Sequence, residues 1–154
     1  MLAALPGLAA CTPADRGLTA VRAAGGRPVV LLAGCADFEI DTVSVYTSSR
    51  DVTASVDGPD WEVQRTGVGV PDAMPLLGEP PRGWKVVDDS LAALAADQLY
   101  GLSAYADAHG TVPITFTDAD LAALGPSEVL IGKTPSSHEK VTEQEFRKRA
   151  EDAC

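Results

Sequence analysis

Short apolar runs recur along this chain, and turn residues separate almost every one from the next. That rhythm is the strongest constraint on what it can fold into. Leu18–Ala23 leads into Gly25-Gly26, a pair that accepts positive φ at little cost. Val29-Val30-Leu31-Leu32 is continuously apolar, as a strand covered on both faces should be. Ile40–Thr47 is rich in Val, Tyr and Thr, and Trp61–Arg65 alternates cleanly after the turn at Asp57-Gly58-Pro59. Trp84–Val87, Val112–Phe116 and Val129–Ile131 complete the series, with Pro113 making its strand an edge or turning its nitrogen toward solvent. About seven or eight short strands with regular turns predict a mostly β protein. The expected fold is an immunoglobulin-like or fibronectin-III-like antiparallel sandwich.

Ser90 to Ala108 admits two readings. Ser90-Leu91-Ala92-Ala93-Leu94-Ala95-Ala96 has high helix propensity. Leu94-x-Ala96-x-x-x-Tyr100 instead resembles a tyrosine corner, in which a Tyr hydroxyl reaches back to an upstream backbone group. Tyr100, Leu102, Ala104 and Ala106 then share one strand face, and Gly101 and Gly110 suit a strand and a turn. The strand reading is preferred.

Two short helices complete the expectation. Thr117 caps the first, with Asp120 three residues on and Gly125-Pro126 as the stop. Thr142-Glu143-Gln144-Glu145 reads as a capping box for the second. Arg147, Lys148 and Arg149 follow toward its C-terminus, where cations suit the macrodipole. This helix should carry Phe146 inward and deliver Cys154 to the sandwich.

The three cysteines point to export. Leu8-Ala9-Ala10-Cys11 is a lipobox-like tetrapeptide closing a run with no charge from Met1 onward. Leu32-Ala33-Gly34-Cys35 looks like a second box, but its apolar run of about six residues falls short of a signal sequence. Cys11 is therefore the expected lipidation site, and Cys35 the end of a buried strand. With Cys11 acylated, Cys35 and Cys154 remain to form a disulfide, as an oxidising compartment favours. Such a bridge closes a long loop, for which chain entropy gives about 4–5 kcal/mol. Residues 1–10 then read as the remnant of a signal peptide, 11–17 as lipobox Cys and tether, and 18–154 as one sandwich domain.

Composition narrows the partners. A hydrophobic share of 45% suits a globular domain, and no stretch approaches the roughly 20 apolar residues that span a bilayer. A net charge of −10 with 12 Lys+Arg opposes nucleic-acid binding and gives no attraction to anionic headgroups. Membrane attachment is expected through the lipid anchor alone, and the partner is an unknown protein or envelope component.

Gly67 to Gly83 breaks the rhythm. Four glycines and four prolines in 17 residues exclude a regular strand or helix, yet Val68, Val70, Met74, Leu76 and Leu77 are apolar. Long irregular loops are often functional. One reading has the loop present Met74, Leu76 and Leu77 to a partner. The other has it fold back and cap its own sandwich.

Several catalytic and ligand patterns are approached without being met. Gly132-Lys133-Thr134 suggests a phosphate loop, but Ser127 stands where its first glycine belongs and Pro135 blocks the helix. Gly67-x-Gly69 lacks a third glycine, Ser137-x-x-Lys140 lacks companion motifs, and Asp118-x-Asp120 lacks the rest of a calcium loop. His109 and His138 have nothing at ligand spacing and read as surface loop residues, so no metal or cofactor is expected. Asp88-Asp89 reads as a solvated turn. The chain is read as a non-enzyme. The alternative is a small envelope hydrolase using a carboxylate pair, whose separation in space a sequence does not reveal.

The chain resembles a family of small, uncharacterised predicted lipoproteins from high-GC Gram-positive bacteria. The resemblance rests on Gly17-Leu18-Thr19-Ala20-Val21 and on Gly26-Arg27-Pro28-Val29 leading to Cys35. It continues through Phe116-Thr117-x-Ala119-Asp120-Leu121-Ala122-Ala123-Leu124-x-Pro126 and Glu145-Phe146-Arg147-x-x-Ala150 before Cys154. It implies an exported, lipid-anchored domain with one disulfide, and no assigned activity.

Overall fold

The computed structural model describes residues 16–48, 58–107 and 109–154. The strands are β1 (Thr19–Ala24), β2 (Arg27–Leu32), β3 (Thr42–Ser48), β4 (Trp61–Arg65), β5 (Ala73–Pro75), β6 (Trp84–Asp88), β7 (Leu99–Ala106), β8 (His109–Gly110), β9 (Ile114–Phe116), β10 (Glu128–Thr134) and β11 (Ser137–Thr142). The helices are α1 (Asp118–Ala122) and α2 (Glu143–Ala153). The strands form two antiparallel sheets, one ordered β11-β10-β1-β2-β5 and the other β6-β4-β3-β7-β8, with β9 also paired to β7. The mostly β antiparallel sandwich with two helices is thus the fold.

The register follows from turn chemistry and pattern. Gly25 and Gly26, at φ 58° and 76°, close a two-residue hairpin that pairs Ala24 with Arg27 and Val21 with Val30. Alternation then assigns faces. Val21, Val30 and Leu130 lie side by side toward the second sheet, while Ala20, Leu31 and Ile131 lie on the opposite face. Arg22, on that outer face, meets Glu143 of α2 at 2.9 Å. Helix α2 therefore covers the outer face of the first sheet, burying Phe146 and Ala150 against it. This is why residues 29–32 read as continuously apolar: Val30, Leu31 and Leu32 point to alternate faces of β2 and all three are buried.

The second sheet has one. Val43, Val45, Trp61, Val63, Leu102 and Ala104 fill the interior. The opposite face carries Thr42, Ser44, Tyr46, Glu62, Gln64, Ser103 and Tyr105, with no helix of the described residues over it.

The tyrosine corner is present. Ser90–Gln98 has no helix, and the Ala95 amide donates to the Tyr100 hydroxyl at 2.7 Å. The full capping box forms at α1, where Thr117 and Asp120 bond each other's backbone N–H. At α2 only half of the expected box forms. Thr142 accepts the Glu145 amide, but the Glu145 carboxylate turns to Arg149 one turn on. The expected cationic last turn is also absent. Arg147 and Arg149 lie mid-helix and engage other elements: Arg149 pairs with Glu139 of β11, and Arg147 donates to the carbonyls of Leu32 at 2.6 Å and Asp72 at 3.0 Å.

Val112–Pro113 precedes β9 and packs hard on β10. A Cβ on Gly132 would lie 2.3 Å from the Pro113 carbonyl oxygen and 2.6 Å from a Val112 methyl. His138, expected in a surface loop, sits half-buried in β11 and donates through Nδ1 to the Thr115 carbonyl at 2.6 Å. These contacts stitch the two sheets together along one side.

Candidate functional site

Strand direction gives the sandwich two ends. Arg16, the 33–41 connection, Asp72 and Cys154 gather at one, the disulfide end. The Gly25-Gly26 hairpin, residues 90–98 and α1 gather at the other.

This disulfide end is built around Cys35 and Cys154. Just past β2, Cys35 and Phe38 exchange backbone hydrogen bonds of 3.1 and 3.2 Å, closing a tight turn. Cys35 is buried there, and α2 brings Cys154 to it. The two form a disulfide with Cα atoms 5.3 Å apart. The expected pairing is therefore the observed one. Beside it, Arg16 makes a bidentate pair with Asp37, at 2.9 and 3.0 Å, and lies over the Phe38 ring. This raises the Arg16 pKa and holds the Asp37 carboxyl below its ordinary value, through the hydrogen bonds first and charge second. His109, expected in a loop, is exposed in the short β8 and packs edge-on against the same Phe38 ring. Cys11, the expected lipidation site, lies outside the described residues.

The Gly67–Gly83 stretch is a correction to the expected partner-presenting loop. Ala73–Pro75 pairs with β2, Met74 opposite Val30, and Met74 is only 1% exposed. The Leu76 amide bonds the Pro28 carbonyl at 3.0 Å, and Leu76 is buried as well. Neither side chain is offered to a partner. The stretch runs along the first sheet and crosses to the second, so it caps its own sandwich. Proline at 75 and a three-residue length hid this strand from pattern reading.

Leu77 differs from its neighbours. It is half-buried, with φ at 57°, a left-handed conformation that costs a non-glycine residue about 1–2 kcal/mol. It lines a cleft of about 640 Å³ at the end opposite the disulfide, between residues 75–79 and 92–94. Pro28, Pro75, Ala93 and Leu94 supply apolar walls. Arg27, Glu79 and Asp118 stand around it, all exposed and none in an ion pair among the described residues. The volume is in the range of small-ligand sites.

Glu62 is the one carboxylate buried among the described residues, 9% exposed on the helix-free face of the second sheet. Ser44 and Tyr105 hydroxyls donate to Oε2 at 2.8 and 3.2 Å, and Gln64 donates to Oε1 at 3.0 Å. Burial is the main cause raising the Tyr105 phenol pKa; the Ser44 hydroxyl opposes it and the Glu62 charge adds to it. Three donors hold this carboxylate in place, an arrangement that satisfies a buried charge. Tyr46 lies beside it, with its hydroxyl 3.1 Å from that of Ser103 and its ring over Gly101. Pattern reading missed Glu62 because an acid at an alternating strand position looks like any solvated residue.

The other sequence patterns resolve into structure. Asp88 accepts the Ser90 amide and hydroxyl at 2.9 and 2.7 Å, which lowers its pKa. Asp120 belongs to the α1 cap, and Gly132-Lys133-Thr134 enters the β10–β11 hairpin. No cluster of three or more metal-ligand side chains occurs among the described residues. No family model matches the chain, and neither a curated protein nor a solved structure is similar to it.

Proposed function

We propose that this protein is an exported surface module, anchored through lipid on Cys11, that binds a protein or envelope component in its far-end cleft. The observation carrying this reading is the opposition of the two ends. The chain leads from Leu8-Ala9-Ala10-Cys11 to Arg16, where the Asp37 pair and Phe38 fix its entry. The cleft with the strained Leu77 opens at the other end. A domain held by its tether would thus expose the cleft outward. The disulfide supports the reading, since such bonds persist in oxidising compartments.

Two measurements test it. Mass spectrometry of membrane-extracted protein should find a diacylglyceryl adduct on an N-terminal Cys11. Crosslinking on intact cells should capture a partner with the native chain and lose it with Leu77→Asp, at a matched melting temperature. An unmodified Cys11 preceded by Ala10 would overturn the anchor, and equal capture by Leu77→Asp would overturn the cleft.

A further inference from the structure

We infer that β6 is a self-pairing edge, and that two copies of this chain join there into one continuous sheet. This goes beyond the proposed cleft and does not depend on it. Strand β6 ends the second sheet, and no described strand pairs with its outer side. A free edge leaves a row of backbone donors and acceptors open to another strand.

The apolar surface is concentrated at this edge. Val68, Val86 and Val87 are the exposed large hydrophobics of the described residues, at 101%, 41% and 51%. Val86 and Val87 lie on β6 itself. Val68 belongs to the adjoining turn, where the Thr66 and Gly67 amides both donate to the Gly83 carbonyl, one residue before β6. Trp84 at the strand's start has a buried indole N–H without a hydrogen-bond partner. Isolated exposed valines need no explanation, but their grouping on an open edge does.

The order of charges selects the occupant. Lys85-Val86-Val87-Asp88 is self-complementary in the antiparallel sense. A two-fold axis perpendicular to the sheet sets Val86 opposite the second copy's Val87 and Lys85 opposite its Asp88. A lysine on an edge ordinarily repels incoming strands; here the mirrored position supplies its counter-charge. The faces agree as well. Residues three apart on a regular strand point to opposite sides. The bulge in β6, where Val63 pairs with Val86 and Glu62 with Asp88, brings Lys85 and Asp88 to the same side, since their partners Gln64 and Glu62 are two apart. Neither side chain has an ion pair in the described chain. Asp88 uses only Oδ1 for Ser90, leaving Oδ2 for the incoming lysine. The helix-free faces of the two copies lie on one side of the joined sheet, and their Arg16 ends point in opposite directions.

Sedimentation equilibrium on the oxidised full chain carrying Cys11→Ser tests this. The native edge should take the average mass from 16.0 kDa toward twice that value as concentration rises. Lys85→Asp alone and Asp88→Lys alone should each remain monomeric, because each sets like charges opposite one another. Mixing them in equal amounts should restore a dimer containing one of each, and the double variant should dimerise with itself. Asp88→Lys also loses the Ser90 contacts, so thermal melting must show it folded; Lys85→Asp disturbs no hydrogen bond and carries the test without it. A native chain that stays monomeric, single variants that dimerise like the native chain, or a mixture that fails to pair would each overturn the inference.

Discussion

The Tyr100 hydroxyl accepts the Ala95 backbone N–H at 2.7 Å, pinning the 90–98 connection to the strand that follows it. The Tyr100 ring is buried against Phe116, so the hydroxyl reaches this amide from a fixed base. Tyr100→Phe keeps the ring and removes the bond. Ala95 is exposed, so water replaces the lost partner and the cost stays near that of one net hydrogen bond, about 1 kcal/mol. Thermal melting should fall by roughly 2–4 °C, and exchange at the Ala95 amide should accelerate.

The cysteine bridge should be worth more. Cys154→Ser frees a loop with ends 119 residues apart, for which the chain-entropy model gives about 4–5 kcal/mol. Denaturant midpoints of native and variant protein measure the difference. Reducing agent should lower the native midpoint to that of the variant, and leave the variant unchanged.

Two glycines should respond differently to a methyl group. A Cβ on Gly101 would meet the Tyr46 ring at 2.3 Å, and a side chain at the sheet surface can swing away. A Cβ on Gly132 would meet the Pro113 backbone oxygen at the same distance, so whole strands must separate. Gly132→Ala should cost at least about 2–3 kcal/mol, and Gly101→Ala roughly half of that. Adding Tyr46→Ala should relieve much of the Gly101→Ala penalty and none of the Gly132→Ala penalty.

Glu128 should leave a signature in pH. Its carboxylate accepts the Gly125 amide at 2.7 Å and meets Lys140 at 3.2 Å, and these, the amide first, hold its pKa below the ordinary value. A carboxyl lowered on folding adds stability that is fully present above its unfolded pKa, near 4, and is lost as pH falls through the folded pKa. The melting-temperature gap between native protein and Glu128→Gln should therefore be widest near neutral pH. It should close below about pH 4.

Met74 tests the corrected loop. Met74→Ala should destabilise by roughly 2–5 kcal/mol, as a buried side chain opposite Val30 would. A change near zero in chemical denaturation would contradict its burial.

Much of the architecture was legible because it is written locally. The Gly25-Gly26 hairpin, the β3 and β4 alternation, the Thr117 cap and the Tyr100 corner each depend on residues close in sequence. What escaped depends on distant partners. Residues 73–75 are a strand only because residues 29–31 lie beside them. Ser137–Thr142 reads as polar because it is an edge strand with Val141 buried and its other residues half-buried or exposed. Glu145 chose Arg149 over its own helix cap, a competition between two short-range bonds that spacing alone does not rank. The same limit applied to Leu76 and Leu77. Adjacent and equally apolar, they part at the left-handed turn, one into the core and one to the cleft wall.

Arg147 holds α2 to the body of the domain through two main-chain carbonyls, those of Leu32 and Asp72. Such a clamp is blind to the side chains at both positions. Residues 32 and 72 can drift without loosening it, as far as the clamp itself is concerned. Position 147 has no such latitude, because the two bonds need the forked guanidinium and a lysine ammonium is a poor substitute for it. Within the clamp, tolerance is therefore unevenly shared: any residue supplies the carbonyls at 32 and 72, where Leu32 answers to the core instead, and Arg147 carries the whole inheritance of how the last helix is seated.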